Sequence, residues 1–153
     1  MSKVIMFDMD GTVYDLYGVP NWLEKLENYD VSAYSDGAPL VNLRELKRVC
    51  EAAIEKGYEI GVITWLSKCG NERFNRDTAE VKRNWINKNM PYVKHFTAQT
   101  YGTPKQKALN KSVKYAILVD DNDDVREMWN TPKQRKSIDA KTDIIKALWE
   151  LLS

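Results

Sequence analysis

Short apolar runs alternate along this chain with stretches of helical spacing. The runs at 3–7, 58–64 and 114–119 are mostly apolar and short, which is typical of strands buried on both faces of a sheet. Weaker runs at 92–96 and 136–140 predict two more strands. Because strand and helix alternate throughout, we expect an α/β fold, a three-layer α/β/α sandwich with a central parallel sheet.

The predicted helices lie between these strands. The clearest has its N-cap at Asn42, shows apolar residues at helical spacing and ends at Gly57. Turn-forming residues fill 29–40, and 65–75 is predicted to be a long loop. The other predicted helical segments are 20–28, 77–89, a short piece from Pro104 to Lys111, 123–129 and 142–152.

Length and composition favour one domain spanning residues 1–153. The chain has 153 residues, of which 43% are hydrophobic and 29% charged, which is ordinary for a globular domain. The net charge of +1 offers no overall attraction to nucleic acid or to a membrane surface. No apolar run reaches the roughly 18 residues of a membrane span, and the first residues do not resemble a signal peptide. We therefore expect a cytoplasmic protein.

The thiols and the imidazole do not suggest a zinc site. Cys50 and Cys69 form no CxxC pair, and His95 is the only histidine of the chain. Both cysteines are predicted to be free, as in a reducing compartment.

Acidic residues follow two of the predicted strands. The first strand runs into "DMDGT", with Asp8 and Asp10, and 114–119 runs into Asp120 and Asp121. An unpaired buried charge is costly, so a bound cation is the simplest compensation. Because carboxyl ends of parallel strands meet at one edge of a sheet, these acids are expected to lie together. Oxygen ligands without His or Cys favour Mg²⁺.

Further residues suit phosphate binding near these acids. Thr64 closes the second strand, and Lys105 and Lys107 lie at the start of a short helix. Gly11 lets the backbone turn tightly after the first acids. A hydroxyl, a lysine and backbone amides together form a phosphate cradle. The residues therefore predict phosphoryl chemistry at an acidic metal site.

The order of these motifs resembles the haloacid dehalogenase-like (HAD) hydrolase superfamily, from residue 4 to the end of the chain. The resemblance implies a Rossmann-like HAD core and a Mg²⁺-dependent phosphatase that forms an aspartyl-phosphate. Asp8 would be the nucleophile, and Asp10 the general acid and base, with its carbonyl on Mg²⁺. Asp121 would be the metal ligand of the second pair, and Asp120 would support it or reach the metal through water.

The resemblance also implies roles for a hydroxyl and a lysine. Thr64 would hydrogen-bond the phosphoryl oxygens, and a lysine would neutralise the nucleophile and the phosphoryl group. We prefer Lys105 because Leu109 follows it by four residues, as is frequent in the family, but Lys107 stays a candidate. Trp65 is a weaker candidate for stacking on a planar group, with loop anchoring as the alternative.

Residues 14–41 are too few for a full cap domain and predict a small flap. Its five aromatic residues either form a wall for a base or pack the flap, and packing is the favoured interpretation: Tyr14, Tyr17, Trp22, Tyr29 and Tyr34. Compact family members include 5′-nucleotidases and deoxynucleotidases. A nucleoside monophosphate or similar small phosphate ester is therefore the predicted substrate.

Other functions are also compatible with parts of this pattern. A response-regulator receiver domain combines acids, a Thr and a Lys, but its acidic pair comes first and a lone Asp later, opposite to the order here. A HAD-fold protein that binds without turnover stays an alternative, as does a phosphatase of a polynucleotide end. The lack of a basic excess argues against the latter. The pattern does not predict an oligomeric state.

Overall fold

Five parallel strands form the central sheet. In the computed structural model, which describes residues 3–130 and 135–153, their order is β3-β2-β1-β4-β5. The strands are β1 Lys3–Phe7, β2 Glu59–Trp65, β3 His95–Gln99, β4 Tyr115–Asp120 and β5 Arg135–Asp139. The predicted α/β sandwich with a parallel sheet is confirmed. Residues 1–2 and 131–134 of the predicted domain lie outside the described residues.

Helices connect the strands. They are α1 Trp22–Glu27, α2 Leu43–Glu55, α3 Glu72–Asn89, α4 Asp123–Trp129 and α5 Ile144–Leu152, with 3-10 helices at Val31–Tyr34 and Lys105–Ala108. In the described part of the chain, no helix combines the length and the apolar character that crossing a membrane requires.

The pleat of β1 shows why both faces of the sheet are covered. Ile5 and Phe7 belong to the larger core cluster, which also contains residues of α2, α3 and α5. Val4 and Met6 belong to a second cluster with Trp129 of α4. Alternate residues of a strand point to opposite faces, so an uninterrupted apolar run needs a helical layer on each side.

Two elements begin three or more residues from their predicted starts, and the other predicted elements begin within two residues of theirs. Helix α3 begins at Glu72 rather than at 77, because the Asn71 side chain accepts a hydrogen bond from the Phe74 N–H at 2.7 Å and caps the helix. Strand β3 is His95–Gln99 rather than 92–96. Its pairing with β2 begins at His95 opposite Gly61, so the register of the partner strand determines the boundary.

The order of the strands determines where the crevice of the candidate site opens. From β1 the chain proceeds outward to β2 and β3, then returns to the other side of β1 for β4 and β5. Such a reversal opens a crevice at the carboxyl ends of the strands. Residues 14–41, the flap, border this crevice and carry α1 and the first 3-10 helix. The flap is closed at its base, where Tyr14 bridges Pro39 and the Leu40 N–H donates to the Val13 carbonyl at 2.9 Å.

Candidate active site

Asp8 lies at the floor of the crevice, directly after β1. Its backbone N–H donates to the carbonyl of Val119 at 2.9 Å, which extends the pairing of β1 with β4. The side chain is buried, and the Thr12 hydroxyl donates to its Oδ2 at 3.0 Å. The carboxylate is therefore held in one orientation by the turn that follows it.

The turn after Asp8 depends on Gly11. This residue has φ +80°, in the left-handed region that favours glycine. A Cβ at this position would lie 2.4 Å from Oδ2 of Asp121. The glycine thus permits the close approach of the second acidic pair to the first.

Lys105 joins the two acidic motifs. Its Nζ donates to Asp8 Oδ1 at 2.7 Å and to Asp120 Oδ2 at 2.6 Å, and the residue is buried. Burial by itself would lower the pKa of Lys105, but the charges of Asp8 and Asp120 outweigh it and raise the pKa. Lys107, the other predicted lysine, is exposed and does not line the crevice.

Three carboxylates form a candidate metal centre. One oxygen each of Asp8, Asp120 and Asp121 lies within 4.8 Å of the other two. Burial and then the charge of Asp8 raise the pKa of Asp121 to about 7, since the cluster holds more negative charge than Lys105 balances. This oxygen-only donor set with unbalanced negative charge fits Mg²⁺.

A second buried lysine, Lys82 of α3, lies in the site and was not predicted. It is 0% exposed, and its Nζ donates to Asp10 Oδ2 at 2.8 Å and to Thr64 Oγ1 at 2.9 Å. A lysine within a polar helix is usually solvated, so no motif identified it. The available signal was spacing, because Lys82 lies four residues from both Thr78 and Ile86 on the buried stripe of α3.

Lys82 gives Asp10 and Thr64 a hydrogen-bond partner that the sequence did not predict. Burial raises the pKa of Asp10 and the charge of Lys82 opposes this rise. Within the described structure, Asp10 Oδ1 is buried and has no hydrogen-bond partner. Thr64 is buried and does not line the crevice, so its contact with a phosphoryl group stays a prediction.

The crevice opens into a cavity of about 560 Å³ with acids at its floor and aromatic rings on its walls. Tyr17 and Trp22 of the flap are in edge contact, with ring centroids 5.0 Å apart. Trp65 and Tyr101 form a second pair, also at 5.0 Å. Trp65 is anchored, since its Nε1 donates to the Thr103 carbonyl at 2.8 Å, and it also lines the cavity.

The five flap aromatics divide between the two interpretations. Tyr14 and Tyr34 are buried and pack the flap, and Tyr34 also lines the cavity. Tyr17 and Trp22 line the cavity, and Tyr17 is 56% exposed. Tyr29 is exposed and packs edge-on against Phe74 of α3. Packing therefore accounts for only some of the rings.

Comparisons with known proteins identify the fold. No protein-family model and no curated protein matches the chain. Among solved structures, it is similar to the crystal structure of D,D-heptose 1,7-bisphosphate phosphatase from Burkholderia thailandensis, with a TM-score of 0.56 and 14% sequence identity over 99% of each chain. The protein has a HAD-like fold. At this identity the likeness concerns the fold alone.

The HAD-like fold gathers some predicted residues and separates others. The cavity is lined by Asp8, Asp10, Trp65, Lys105, Asp120 and Asp121. Gly11, Thr64 and Lys107 do not line it, although Gly11 adjoins Asp121 and Thr64 accepts a hydrogen bond from Lys82.

Proposed function

We propose that the protein is a Mg²⁺-dependent phosphomonoester hydrolase that acts through an aspartyl-phosphate intermediate. The observation that carries this proposal is the Asp8 carboxylate, which lines the cavity between the ammonium of Lys105 and the acids of the second pair. The similar solved structure is that of a phosphatase, which supports the proposal.

The residues of the chain divide the reaction into two displacements. The Asp8 carboxylate attacks phosphorus, and the ester oxygen departs with a proton from Asp10. Asp10 then takes a proton from a water molecule, which attacks the aspartyl-phosphate and releases inorganic phosphate and free Asp8. Lys105, at 2.7 Å from Asp8, limits the negative charge that accumulates at the nucleophile.

The metal would be held by Asp8, Asp120 and Asp121, and by the backbone carbonyl of Asp10 in the arrangement that the family resemblance implies. Bound Mg²⁺ would offset the repulsion between the carboxylates and the phosphate dianion.

A nucleoside monophosphate is the proposed substrate, and the activity that of a 5′-nucleotidase. The two aromatic pairs, Tyr17 with Trp22 and Trp65 with Tyr101, border the cavity above the acids. Aromatic rings bind flat, apolar groups through stacking and edge contacts. A planar base beyond the sugar would contact these rings while the phosphate lies at Asp8.

Phosphate release tests the proposal. The panel comprises nucleoside 5′- and 3′-monophosphates, sugar phosphates, an aryl phosphate and oligonucleotides with phosphorylated ends, each with Mg²⁺ and with EDTA. We expect Mg²⁺-dependent release that is fastest with a nucleoside monophosphate. Asp8→Asn is expected to lower the rate by at least about 1,000-fold, because it removes the nucleophile.

Asp124→Asn is the matched control. This acid is exposed in the first turn of α4, so its variant should hydrolyse at the wild-type rate. Release from oligonucleotide ends alone would replace the proposed substrate class and keep the reaction. A folded, Mg²⁺-binding protein that releases phosphate from nothing in the panel would contradict hydrolysis and favour a binding role.

A further inference from the structure

The proposed reaction assigns no role to Lys82, although this lysine lies within hydrogen-bond distance of Asp10. Its Nζ lies 2.8 Å from Asp10 Oδ2, 2.9 Å from Thr64 Oγ1 and 2.8 Å from the Trp65 carbonyl oxygen. An ammonium group donates three hydrogen bonds, and these three acceptors use all of them. Lys82 therefore has no donor left for a phosphoryl oxygen and acts through its neighbours.

The complete burial of the Lys82 ammonium removes a charge from water, which costs free energy that an apolar side chain would not lose. The residue is 0% exposed, and the ring of Tyr34 in the flap covers its Nζ, 4.6 Å from the ring centroid. An apolar side chain of similar volume often stabilises such a position as well as a buried ion pair does, or better. Packing of α3 against the sheet therefore does not explain why position 82 carries a charged side chain.

The two oxygens of Asp10 have different surroundings because of Lys82. Oδ2 accepts the hydrogen bond from the ammonium, while Oδ1 is buried and has no partner in the described part of the chain. Asp10 also lines the cavity. An ion pair on one oxygen fixes the rotation of the carboxylate, and the other oxygen keeps its full capacity for a hydrogen bond.

We propose that Lys82 is a positioning residue, which holds Asp10 by Oδ2 so that Oδ1 is presented to the leaving oxygen of the substrate. The same ammonium ties Asp10 to Thr64 and to the end of β2, so the acid keeps its place relative to Asp8. This inference rests on the proposed function.

The choice of leaving group separates this role from a general contribution to folding. An alkyl phosphate, such as a nucleoside monophosphate, needs its leaving oxygen protonated, whereas p-nitrophenyl phosphate has a leaving group that departs without help. We expect Lys82→Met to lower kcat/KM, which covers the steps up to the aspartyl-phosphate, by about 100-fold with the alkyl ester and by less than about tenfold with the aryl ester. The dissociation constant for inorganic phosphate, the product, should change by less than about threefold, because no contact with the phosphoryl group is lost.

A double variant keeps the test independent of folding. Lys82→Met alone leaves the Asp10 charge buried and unpaired, while Lys82→Met with Asp10→Asn removes both charges together. If Lys82 acts through Asp10, the double variant should be as active as Asp10→Asn alone, within about twofold.

Lys88→Met is the matched control, an exposed lysine of the same helix, and should keep wild-type rates with both esters. Equal losses with the two esters, or a double variant far slower than Asp10→Asn, would overturn the role of Lys82 while leaving the hydrolase in place. A wild-type protein that releases phosphate from p-nitrophenyl phosphate and from every ester of the panel at no measurable rate would overturn the proposed function and, with it, this inference.

Discussion

At the scale of single residues, two buried lysines organise the acids of the site. Lys105 lies between Asp8 and Asp120, and Lys82 pairs with Asp10. Asp121 forms no ion pair within the described part of the chain. The two lysines thus balance only part of the negative charge of the acids. The remaining negative charge lies in the cluster of Asp8, Asp120 and Asp121, where a cation would bind.

Substitution of Lys105 and of Lys107, one at a time, tests which of these two predicted candidates is the lysine of the active site. Lys105→Met leaves two buried carboxylates without their partner, so we expect phosphate release to fall by about 100- to 1,000-fold. Lys107→Met should lose much less, because its side chain is exposed and outside the cavity. The measurement is the initial rate with Mg²⁺, on variants whose circular dichroism matches the wild type.

Lys111→Met, at another exposed lysine of the same segment, serves as the control for that pair and should behave as the wild type. A larger loss in Lys107→Met than in Lys105→Met would assign the catalytic lysine to position 107 instead.

At the scale of elements, α3 connects the sheet to the flap. Its buried stripe carries Lys82 under Tyr34, and Phe74 contacts the rings of Tyr29 and Tyr34. The helix begins with the Asn71 cap, which places this first turn against the flap. The position of the start of α3 therefore affects both the flap and the acid that Lys82 holds.

The cap of α3 gives a prediction for stability. Asn71→Ala removes the acceptor for the Phe74 N–H and should lower the free energy of unfolding by about 1 kcal/mol. Urea denaturation followed by circular dichroism measures this difference. Asn84→Ala makes the same chemical change at an exposed site inside the helix, where it should be neutral or slightly stabilising. Equal destabilisation by the two variants would contradict the capping role.

At the scale of the whole molecule, the acidic cluster at the end of the sheet should couple folding to metal binding. A ligand that binds only the folded state stabilises it, by about 2.7 kcal/mol at a concentration 100 times its Kd. Mg²⁺ should therefore raise the Tm above its value in EDTA, because the ion offsets the repulsion among Asp8, Asp120 and Asp121.

Asp121→Asn should weaken the coupling between folding and Mg²⁺ binding. In EDTA the variant should be at least as stable as the wild type, since one of the clustered charges is gone, and Mg²⁺ should raise its Tm much less. Thermal unfolding with and without Mg²⁺ measures both effects. Asp124→Asn, an exposed acid beyond the cluster, should show the full wild-type shift. The same Mg²⁺ shift in Asp121→Asn as in the wild type would exclude Asp121 as a ligand.

Patterns within short windows of the chain determined the elements and the first acids by themselves. The run at 3–7 specified a two-sided strand, Asn42 specified the start of α2, and "DMDGT" specified an acidic turn at the end of β1. Hydrophobic periodicity, caps and tight turns act between residues a few positions apart, so the sequence displays them directly. The starts of α3 and β3 were missed, since one depends on an Asn cap inside a polar loop and the other on pairing with β2.

The tertiary structure decided which lysines meet the acids. Lys105 is 97 residues from Asp8, and Lys82 is 72 residues from Asp10, yet each pair is in direct contact. A lysine can be solvated, as Lys107 is, or buried against a carboxylate, as Lys82 is, and the residue type does not decide between the two. Its environment is set by the packing of helices and flap on the sheet, and that packing depends on the whole chain.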